Sequence, residues 1–171
     1  VAPQPQTLAR GWRVLEVVAR LGVPAPRPVL FDPDGTLLGA PGCVMTRVPG
    51  RGLLTPRDRG DWIQQLAAAL VTLHRASTDG EDLGFLPEPE TPGAELARRQ
   101  ERLAGRPTCH PDTNAVFAAL QSWTPRVEPL PPQLVHGDYW AGNTVWRRDR
   151  LMGIVDWDSA RLDSPDADVC Y

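Results

Sequence analysis

The stretch of sequence that decides the fold runs from residue 136 to residue 158 and reads HGDYWAGNTVWRRDRLMGIVDWD. An apolar strand leads into this stretch, and its second half alternates like a hairpin that turns at residues 148–150. Asn143 opens the hairpin and Asp156 closes it. Because the two ends of a hairpin lie side by side, the pattern predicts that Asn143 and Asp156 are neighbours, with Asp138 on the loop beside them.

Two carboxylates and one amide in this order suit the chemistry of phosphoryl transfer. Asp138 can orient and deprotonate an attacking hydroxyl group. The oxygens of Asn143 and Asp156 are hard ligands of the kind that Mg²⁺ prefers, and Mg²⁺ neutralises the charge of nucleotide phosphates. A structural interpretation competes with this one, since Gly137 could supply a positive φ in an ordinary turn that an aspartate caps. We prefer the catalytic interpretation because two spaced motifs coincide.

The segment HGDYWAGNTVW…GIVDWD resembles the aminoglycoside phosphotransferase and choline kinase-like family, whose members are distant relatives of protein kinases. Residues 22–26, GVPAP, and residues 163–168, DSPDAD, are similar to two further motifs of that family, and Asp168 is the last residue of the second. The resemblance implies an α/β (α+β) fold of the two-lobed protein kinase type.

The same resemblance implies roles for individual residues and implies ATP and Mg²⁺ as cofactors. Asp138 would be the catalytic base, Asn143 and Asp156 would bind Mg²⁺, and Asp158 would assist through a water molecule. The backbone at the end of the small lobe would hold adenine, and it comprises Met45, Thr46, Arg47 and Val48.

The resemblance also divides the chain into three parts. Residues 1–48 would form part of the small, nucleotide-binding lobe, residues 49–54 the hinge or linker, and residues 55–171 part of the large lobe. Local patterns predict helices at residues 7–21, 55–76, 93–103 and 112–123, and strands at residues 28–31, 36–38 and 43–48. The helix at 55–76 is predicted to begin with a capping box at Thr55.

Composition excludes several classes of protein. The net charge of −3 does not indicate a nucleic-acid partner, and no apolar run approaches the length that spans a membrane. Cys43, Cys109 and Cys170 are odd in number and lack metal-ligand spacing, which is typical of reduced cysteines in a cytoplasmic protein. The sequence leaves the oligomeric state open.

The basic residues are unusual, because all 18 are arginine. Kinase-like enzymes pair the nucleotide phosphates with a strand lysine that a helix glutamate holds. Neither a lysine nor a Gly-rich phosphate loop is present, and the position of the helix glutamate aligns with Gly11. We therefore expect this chain to be a fragment of a longer protein that begins before residue 1 and continues after residue 171.

The predicted activity is ATP-dependent phosphorylation of a hydroxyl group on a small molecule, such as an aminoglycoside-like or amino-alcohol acceptor. A cationic acceptor could contact Glu88, Glu90 or Glu95, although we expect these side chains to be solvated. Tyr139 and Trp140 could stack on the acceptor or could equally pack in the core. One alternative is a catalytically impaired, pseudokinase-like nucleotide-binding protein. A second is a metal-dependent hydrolase that uses Asp138, Asp156 and His136.

Overall fold

The computed structural model describes residues 5–104, 106, 110, 112–126, 128 and 130–169. Cys109 and Cys170 lie outside the described residues, whereas Cys43 is a free, half-buried thiol. The four helices are α1 (Pro5–Arg20), α2 (Arg59–Arg75), α3 (Pro92–Leu103) and α4 (Thr113–Trp123). The six strands are β1 (Pro28–Asp32), β2 (Gly42–Met45), β3 (Gln133–Val135), β4 (Thr144–Arg147), β5 (Arg150–Ile154) and β6 (Arg161–Asp163).

The described strands form three antiparallel pairs. β1 pairs with β2, β4 pairs with β5, and β3 pairs with β6. The β4–β5 pair is the hairpin that the sequence predicts, whereas the β1–β2 pair was not predicted. The third joins the strand before the catalytic loop to a strand that follows the IVDWD motif, and the register places Val135 opposite Arg161. This long-range pair brings the two motifs together.

Helix α1 supplies one face of the hydrophobic core. Its face packs in a cluster with the end of β5, with α2 and with the turn after β5, and its buried members include Val14, Leu15, Val17, Val18, Leu73, Ile154 and Trp157. The segment after α1 continues this contact, because the Ile154 N–H donates to the Pro24 carbonyl over 2.7 Å. The core therefore lies directly behind the residues of the predicted site.

The strand predicted at residues 36–38 is wrong. The buried Asp32 carboxylate accepts N–H bonds from the three residues Thr36, Leu37 and Leu38, at 3.0, 2.8 and 2.7 Å. These bonds fold the segment into a turn, since a side-chain acceptor that satisfies successive amides replaces a ladder of strand bonds. The partner of β1 is instead β2.

The predicted cap of α2 at Thr55 is also wrong. The helix begins at Arg59, and the Asp58 carboxylate accepts the Asp61 N–H over 3.0 Å as the N-cap. Aspartate is as good an N-cap as threonine, so the local pattern contained two candidates. Gln65 of α2 then holds the β4–β5 hairpin, because its side chain donates to the Asp149 carbonyl and accepts the Leu151 N–H, both at 2.9 Å.

Within the described part of the chain, no helix combines the length and the apolar character that crossing a bilayer requires.

Candidate active site

The second residue of the loop after β3 is Gly137, which no other residue could replace without strain. Gly137 has φ of +78°, and a Cβ built there would lie 2.3 Å from both the Ser159 carbonyl oxygen and an Arg161 guanidinium nitrogen. Both the backbone conformation and the available space therefore require glycine. This explains the glycine of the HGD motif in physical terms.

The loop brings Asp138 and Asn143 into direct contact. The Asn143 amide nitrogen donates to the Asp138 side-chain Oδ2 and to the Asp138 backbone carbonyl, both over 2.9 Å. Asn143 is buried and Asp138 half-buried. One carboxylate oxygen of Asp138 is thus oriented by an amide, while the second has no hydrogen-bond partner among the described residues.

His136 fixes the loop through both ring nitrogens. The Asp138 N–H donates to Nδ1 over 3.3 Å, so Nε2 carries the proton and donates to the Val155 carbonyl over 2.9 Å. The side chain is fully buried, and this burial holds the pKa of His136 below its ordinary value, although the Val155 carbonyl and nearby aspartates oppose the shift. The neutral ring of His136 therefore joins the loop to the segment around Val155.

Asp168 holds the backbone of the same loop from beneath. Its carboxylate accepts the His136 N–H over 2.9 Å and the Gly137 N–H over 2.7 Å, and it also bonds His74 Nε2 over 2.9 Å. Burial alone would raise the pKa of Asp168, but the bonds from His74 and the two backbone amides outweigh it and lower the pKa. The carboxylate is therefore ionised and fully paired.

Two side chains connect the loop to helix α2. His74 reaches Asp168 from the end of that helix, and the Tyr139 hydroxyl donates to the Leu66 carbonyl over 2.9 Å. Tyr139 is buried, and burial raises the pKa of its hydroxyl group. Of the two uses considered for Tyr139, the structure shows core packing. His74 contributes to the site by holding Asp168.

Asp156 begins a tight turn at the end of β5. Its φ of 65° and ψ of 63° place it in the left-handed region, and the following Trp157 is buried and donates to the Ile154 carbonyl over 3.0 Å. The backbone of the turn meets the catalytic loop, because the Val155 N–H donates to the Asn143 carbonyl over 2.9 Å. Such strain in a non-glycine residue is a feature of functional sites. Asp156 is exposed and has no hydrogen-bond partner among the described residues.

The acids of this site do not form a ready-made metal cage. Among the described residues, no group of three or more His, Cys, Asp or Glu side chains is placed to hold a metal ion together. Asn143 and Asp156 come from adjoining segments, which the Asn143–Val155 backbone bond joins. Two protein oxygens with open positions beside them suit Mg²⁺, which retains waters and takes phosphate oxygens as further ligands.

Asp158 lies against helix α1 at Gly11, the position where the family resemblance implies a glutamate that holds the strand lysine. A Cβ at Gly11 would be 3.2 Å from Asp158 Oδ1, and the Arg10 guanidinium donates to the Asp158 carbonyl over 2.6 Å. The glycine that replaces the family's glutamate therefore faces an exposed carboxylate on the turn after Asp156.

The segment from Met45 to Val48 presents backbone groups, with little side-chain contact. The Thr46 N–H donates to the Arg27 carbonyl over 2.9 Å. Within the part of the chain that the structure describes, the N–H groups of Arg47 and Val48 have no partner. The Val48 side chain packs on Gly153 of β5, where a Cβ would lie 3.0 Å from Val48 Cγ1.

The next residues bind the segment to the hairpin. Arg51 and Trp146 exchange both backbone hydrogen bonds, at 3.0 and 2.8 Å. Gly50 has φ of +141°, and a Cβ there would lie 2.4 Å from the Trp146 carbonyl oxygen. Residues 50–51 and strand β4 are therefore in backbone contact.

Trp140 differs from its neighbour Tyr139, because 47% of its surface is exposed. Its ring lies over Gly142, where a Cβ would come within 2.2 Å of Trp140 Cζ2. One ring face is therefore held against the loop that carries Asp138. The glutamates considered for a cationic acceptor are elsewhere engaged or solvated: Glu90 pairs with Arg98 and Glu95 pairs with Arg99 at the surface.

Sequence reasoning missed two side chains of this site. Asp168 was matched to a family motif without a role, although the preceding proline and the spacing to the IVDWD motif were visible. Arg161 was not considered, and only the β3–β6 pairing places it beside Gly137. No local signal in the sequence could have found that contact.

Several solved structures share the fold of this chain. The chain superposes on a Ralstonia eutropha protein provisionally named an aminoglycoside phosphotransferase, with a TM-score of 0.76, 19% identity, 97% of this chain and 54% of the other covered. The GDP and kanamycin complex of APH(2″)-IIia superposes with a TM-score of 0.75 and 20% identity, covering 98% of this chain and 61% of the other. The streptomycin–ATP complex of APH(2″)-IIa superposes with a TM-score of 0.63 and 15% identity, covering 96% of this chain and 58% of the other. The fold is therefore kinase-like, of the kind found in aminoglycoside phosphotransferases.

Residues 2–171 match the sequence model of the phosphotransferase enzyme family, APH, and the chain belongs to that family. Among curated proteins it is similar to acyl-CoA dehydrogenase family member 11 of Homo sapiens, with 24% identity over 99% of this chain and 23% of that protein. The Gallus gallus protein of the same name is 27% identical, again over 99% of this chain and 23% of that protein. The chain thus spans about a quarter of these relatives and little more than half of the solved structures.

Proposed function

We propose that the protein carrying this chain transfers the γ-phosphate of ATP to a hydroxyl group of a small molecule. The observation that carries this proposal is the Asp138–Asn143 pair on a loop whose backbone the buried Asp168 holds. Membership of the phosphotransferase family supports the reaction class. The remaining steps concern the base, the metal, the nucleotide and the acceptor.

Asp138 would act as the base. Asn143 binds Oδ2 of this carboxylate and fixes its plane, while Oδ1 stays available to accept a proton from the acceptor hydroxyl. The Gly137 N–H donates to Asp168 and the Asp138 N–H donates to His136 Nδ1, and these two bonds hold Asp138 in place before any substrate binds. A base that is already positioned lowers the entropic cost of reaching the reactive geometry.

Asn143 and Asp156 would hold Mg²⁺. The Asn143 amide nitrogen is used by Asp138, so its oxygen is left for a metal, and the Asp156 carboxylate is exposed and unpartnered among the described residues. When bound, Mg²⁺ would neutralise negative charge on the nucleotide phosphates. The strained φ of Asp156 would serve to direct the carboxylate toward that position.

The backbone from Met45 to Val48 would hold the adenine ring. The N–H groups of Arg47 and Val48 are without partners in the described part of the chain, and Val48 packs on Gly153 beneath. This assignment carries with it the proposed division into a partial small lobe at residues 1–48, a hinge at residues 49–54 and a partial large lobe at residues 55–171. A cytoplasmic location, where ATP is abundant, belongs to the same proposal.

Two acceptor classes deserve a place in the first screen. Two of the similar solved structures contain kanamycin or streptomycin, and the exposed ring of Trp140, which lies on the same loop as Asp138, could stack on an amino sugar. The curated relatives are named as acyl-CoA dehydrogenases, which suggests a hydroxyl group on an acyl-CoA thioester. The screen should therefore pair aminoglycosides with hydroxyacyl-CoA compounds.

A second candidate function is nucleotide binding without transfer. Gly11 in place of the clamp glutamate and the lack of lysine in the given sequence favour it. Mg²⁺-dependent ATP binding with no phosphorylated product from any acceptor would support this candidate. No specific contact favours the hydrolase alternative.

The test is a calorimetric titration of the chain with ATP, with and without Mg²⁺. We expect Asp156→Ala to weaken Mg²⁺-dependent binding by about tenfold, since it removes one of two protein ligands. Asp34→Ala, in an exposed turn, is the matched control and should bind as the wild type does. Absence of Mg²⁺-dependent binding by the folded wild-type chain would contradict the proposed site in this chain.

A further inference from the structure

We propose that Arg161 is a positioning residue that fixes the loop of the base relative to the turn of the metal ligand. This inference rests on the proposed function. A single guanidinium nitrogen, Nη1, lies 3.4 Å from the Gly137 carbonyl oxygen and 3.4 Å from the Ser159 carbonyl oxygen. Gly137 directly precedes Asp138, and Ser159 follows Asp156 by three positions, so one cation joins the two segments that carry the functional acids.

The strand pairing puts Arg161 in this position. Val135 and Arg161 face each other across β3 and β6, and the catalytic loop begins one residue after Val135. The guanidinium group fits against the loop because Gly137 has no side chain. A Cβ at this position would be 2.3 Å from Arg161 Nη1. The space that a side chain at residue 137 would need is occupied by Arg161.

Asp163 orients the guanidinium. Its Oδ2 accepts from Arg161 Nε over 2.7 Å, and its Oδ1 accepts the Ser164 N–H over 2.8 Å. The side chains of Arg161 and Asp163 are 27% and 20% exposed, so this ion pair is largely shielded from solvent. Because Asp163 fixes Nε, the opposite end of the planar guanidinium points in one direction, toward the two carbonyl groups.

Arg161 adds a charged contact to two neutral ones between the same segments. His136 donates to the Val155 carbonyl, and the Val155 N–H donates to the Asn143 carbonyl. The two Arg161 contacts are longer than an ideal hydrogen bond, so each is weak by itself. Their joint effect is on the separation of the two acids, and small displacements of reacting groups have large effects on rate.

The kinetic test compares Arg161→Ala, Arg161→Lys and Asp163→Asn with the wild type during ATP turnover, with water or an identified acceptor. We expect Arg161→Ala to lower kcat by about 5- to 20-fold and to change KM for ATP by less than about twofold, because the nucleotide contacts lie elsewhere. Arg161→Lys should recover only part of kcat, because an ammonium group cannot bind Asp163 and both carbonyl groups at once, and Asp163→Asn should fall between Arg161→Ala and the wild type. Arg150→Ala, at the exposed hairpin tip, is the matched control. An unchanged kcat in Arg161→Ala would overturn the inference.

A second measurement decides the inference even if the wild type does not turn over ATP, which would count against the proposed function alone. Amide hydrogen exchange should become faster in Arg161→Ala within residues 134–143 and 155–160, and stay unchanged in helices α3 and α4. Arg161→Lys should retain only part of the protection, because its single ammonium group cannot replace both guanidinium contacts. Unchanged exchange in both segments, or an equal increase throughout the chain, would overturn the positioning role.

Discussion

Residues 45–51 include the proposed adenine backbone (residues 45–48) and the start of the proposed hinge (residues 49–54), and are called the hinge segment below. They differ from the proposed catalytic loop, residues 136–143, in the kind of group that they offer to a ligand. The hinge offers backbone groups, and the side chains of Met45 and Arg47 are exposed. The loop instead depends on side chains, since buried His136, Asn143 and Asp168 take part in its bonds. A site made of backbone tolerates many sequences, whereas a site made of buried polar side chains tolerates few. The catalytic loop should therefore respond far more strongly to substitution than the hinge.

The largest difference between the two regions should come from Asp138→Ala. We expect phosphoryl transfer to fall by about 10³-fold, because general-base catalysis contributes about 10²- to 10⁴-fold. The affinity for Mg·ATP should change by less than about twofold, since the hinge and Asp156 remain. Transfer assays and calorimetry measure the two quantities separately. Equal transfer by Asp138→Ala and the wild type would remove Asp138 as the base.

Asp168→Asn tests whether the loop depends on a buried charge. The substitution weakens three hydrogen bonds to a carboxylate that is fully buried, and we expect a loss of about 2–4 kcal/mol in the free energy of unfolding. Chemical denaturation measures it, with Asp166→Asn as an exposed control two residues away. The pKa of Asp168 is lowered in the folded protein, so this stabilisation is present above about pH 4 and is lost as the pH falls further. A loss equal to that of Asp166→Asn would show that the charge is dispensable.

His136 should give the fold a second, milder dependence on pH. Its pKa in the folded protein lies below the ordinary value of 6.5, so the unfolded chain binds a proton that the folded chain does not. Stability is therefore fully present above that value and decreases as the pH falls below it, by at most about 1.4 kcal/mol per pH unit. The decrease between pH 6.5 and 5 should be smaller in His136→Gln. Parallel curves for the two proteins would contradict a buried, neutral His136.

The smallest effect should be at the hinge. Arg47→Ala removes an exposed side chain and leaves the backbone N–H, so we expect the dissociation constant for ATP to change by less than about twofold. Calorimetry under the conditions used for Asp156→Ala gives the comparison. A tenfold loss would mean that the Arg47 guanidinium contacts the nucleotide, and the contrast between hinge and loop would then fail.

Sequence motifs predicted the loop better than the elements around it. The HGD motif and the alternation after it placed Asp138 on a loop followed by a hairpin, and the β4–β5 pair confirms the hairpin, whereas the Asp138–Asn143 hydrogen bond was not predicted. The position of Asp168 under the loop did not, because its partners lie 31 or more residues away. Burial also separated Tyr139 from Trp140, which are adjacent and aromatic and therefore look alike in sequence.

The errors outside the site have a common physical origin. Residues 36–38 have the composition of a strand, yet the Asp32 carboxylate satisfies their amides and makes a turn. Thr55 and Asp58 are both good N-caps, and the tertiary position of α2 selects Asp58. In each case an aspartate side chain competes with the backbone for an amide, and pattern analysis does not decide which acceptor succeeds.

The hydrogen bonds that Asp168 accepts from the HGD loop also determine when that loop can reach its final conformation during synthesis. His136 emerges from the ribosome 32 residues before the carboxylate that holds its N–H, and at ordinary elongation rates this corresponds to a delay of roughly 2–6 s. During that interval β3 has no β6 to pair with, and the HGD loop lacks its internal anion. The HGD loop therefore takes its final form only after residue 168 has been synthesised.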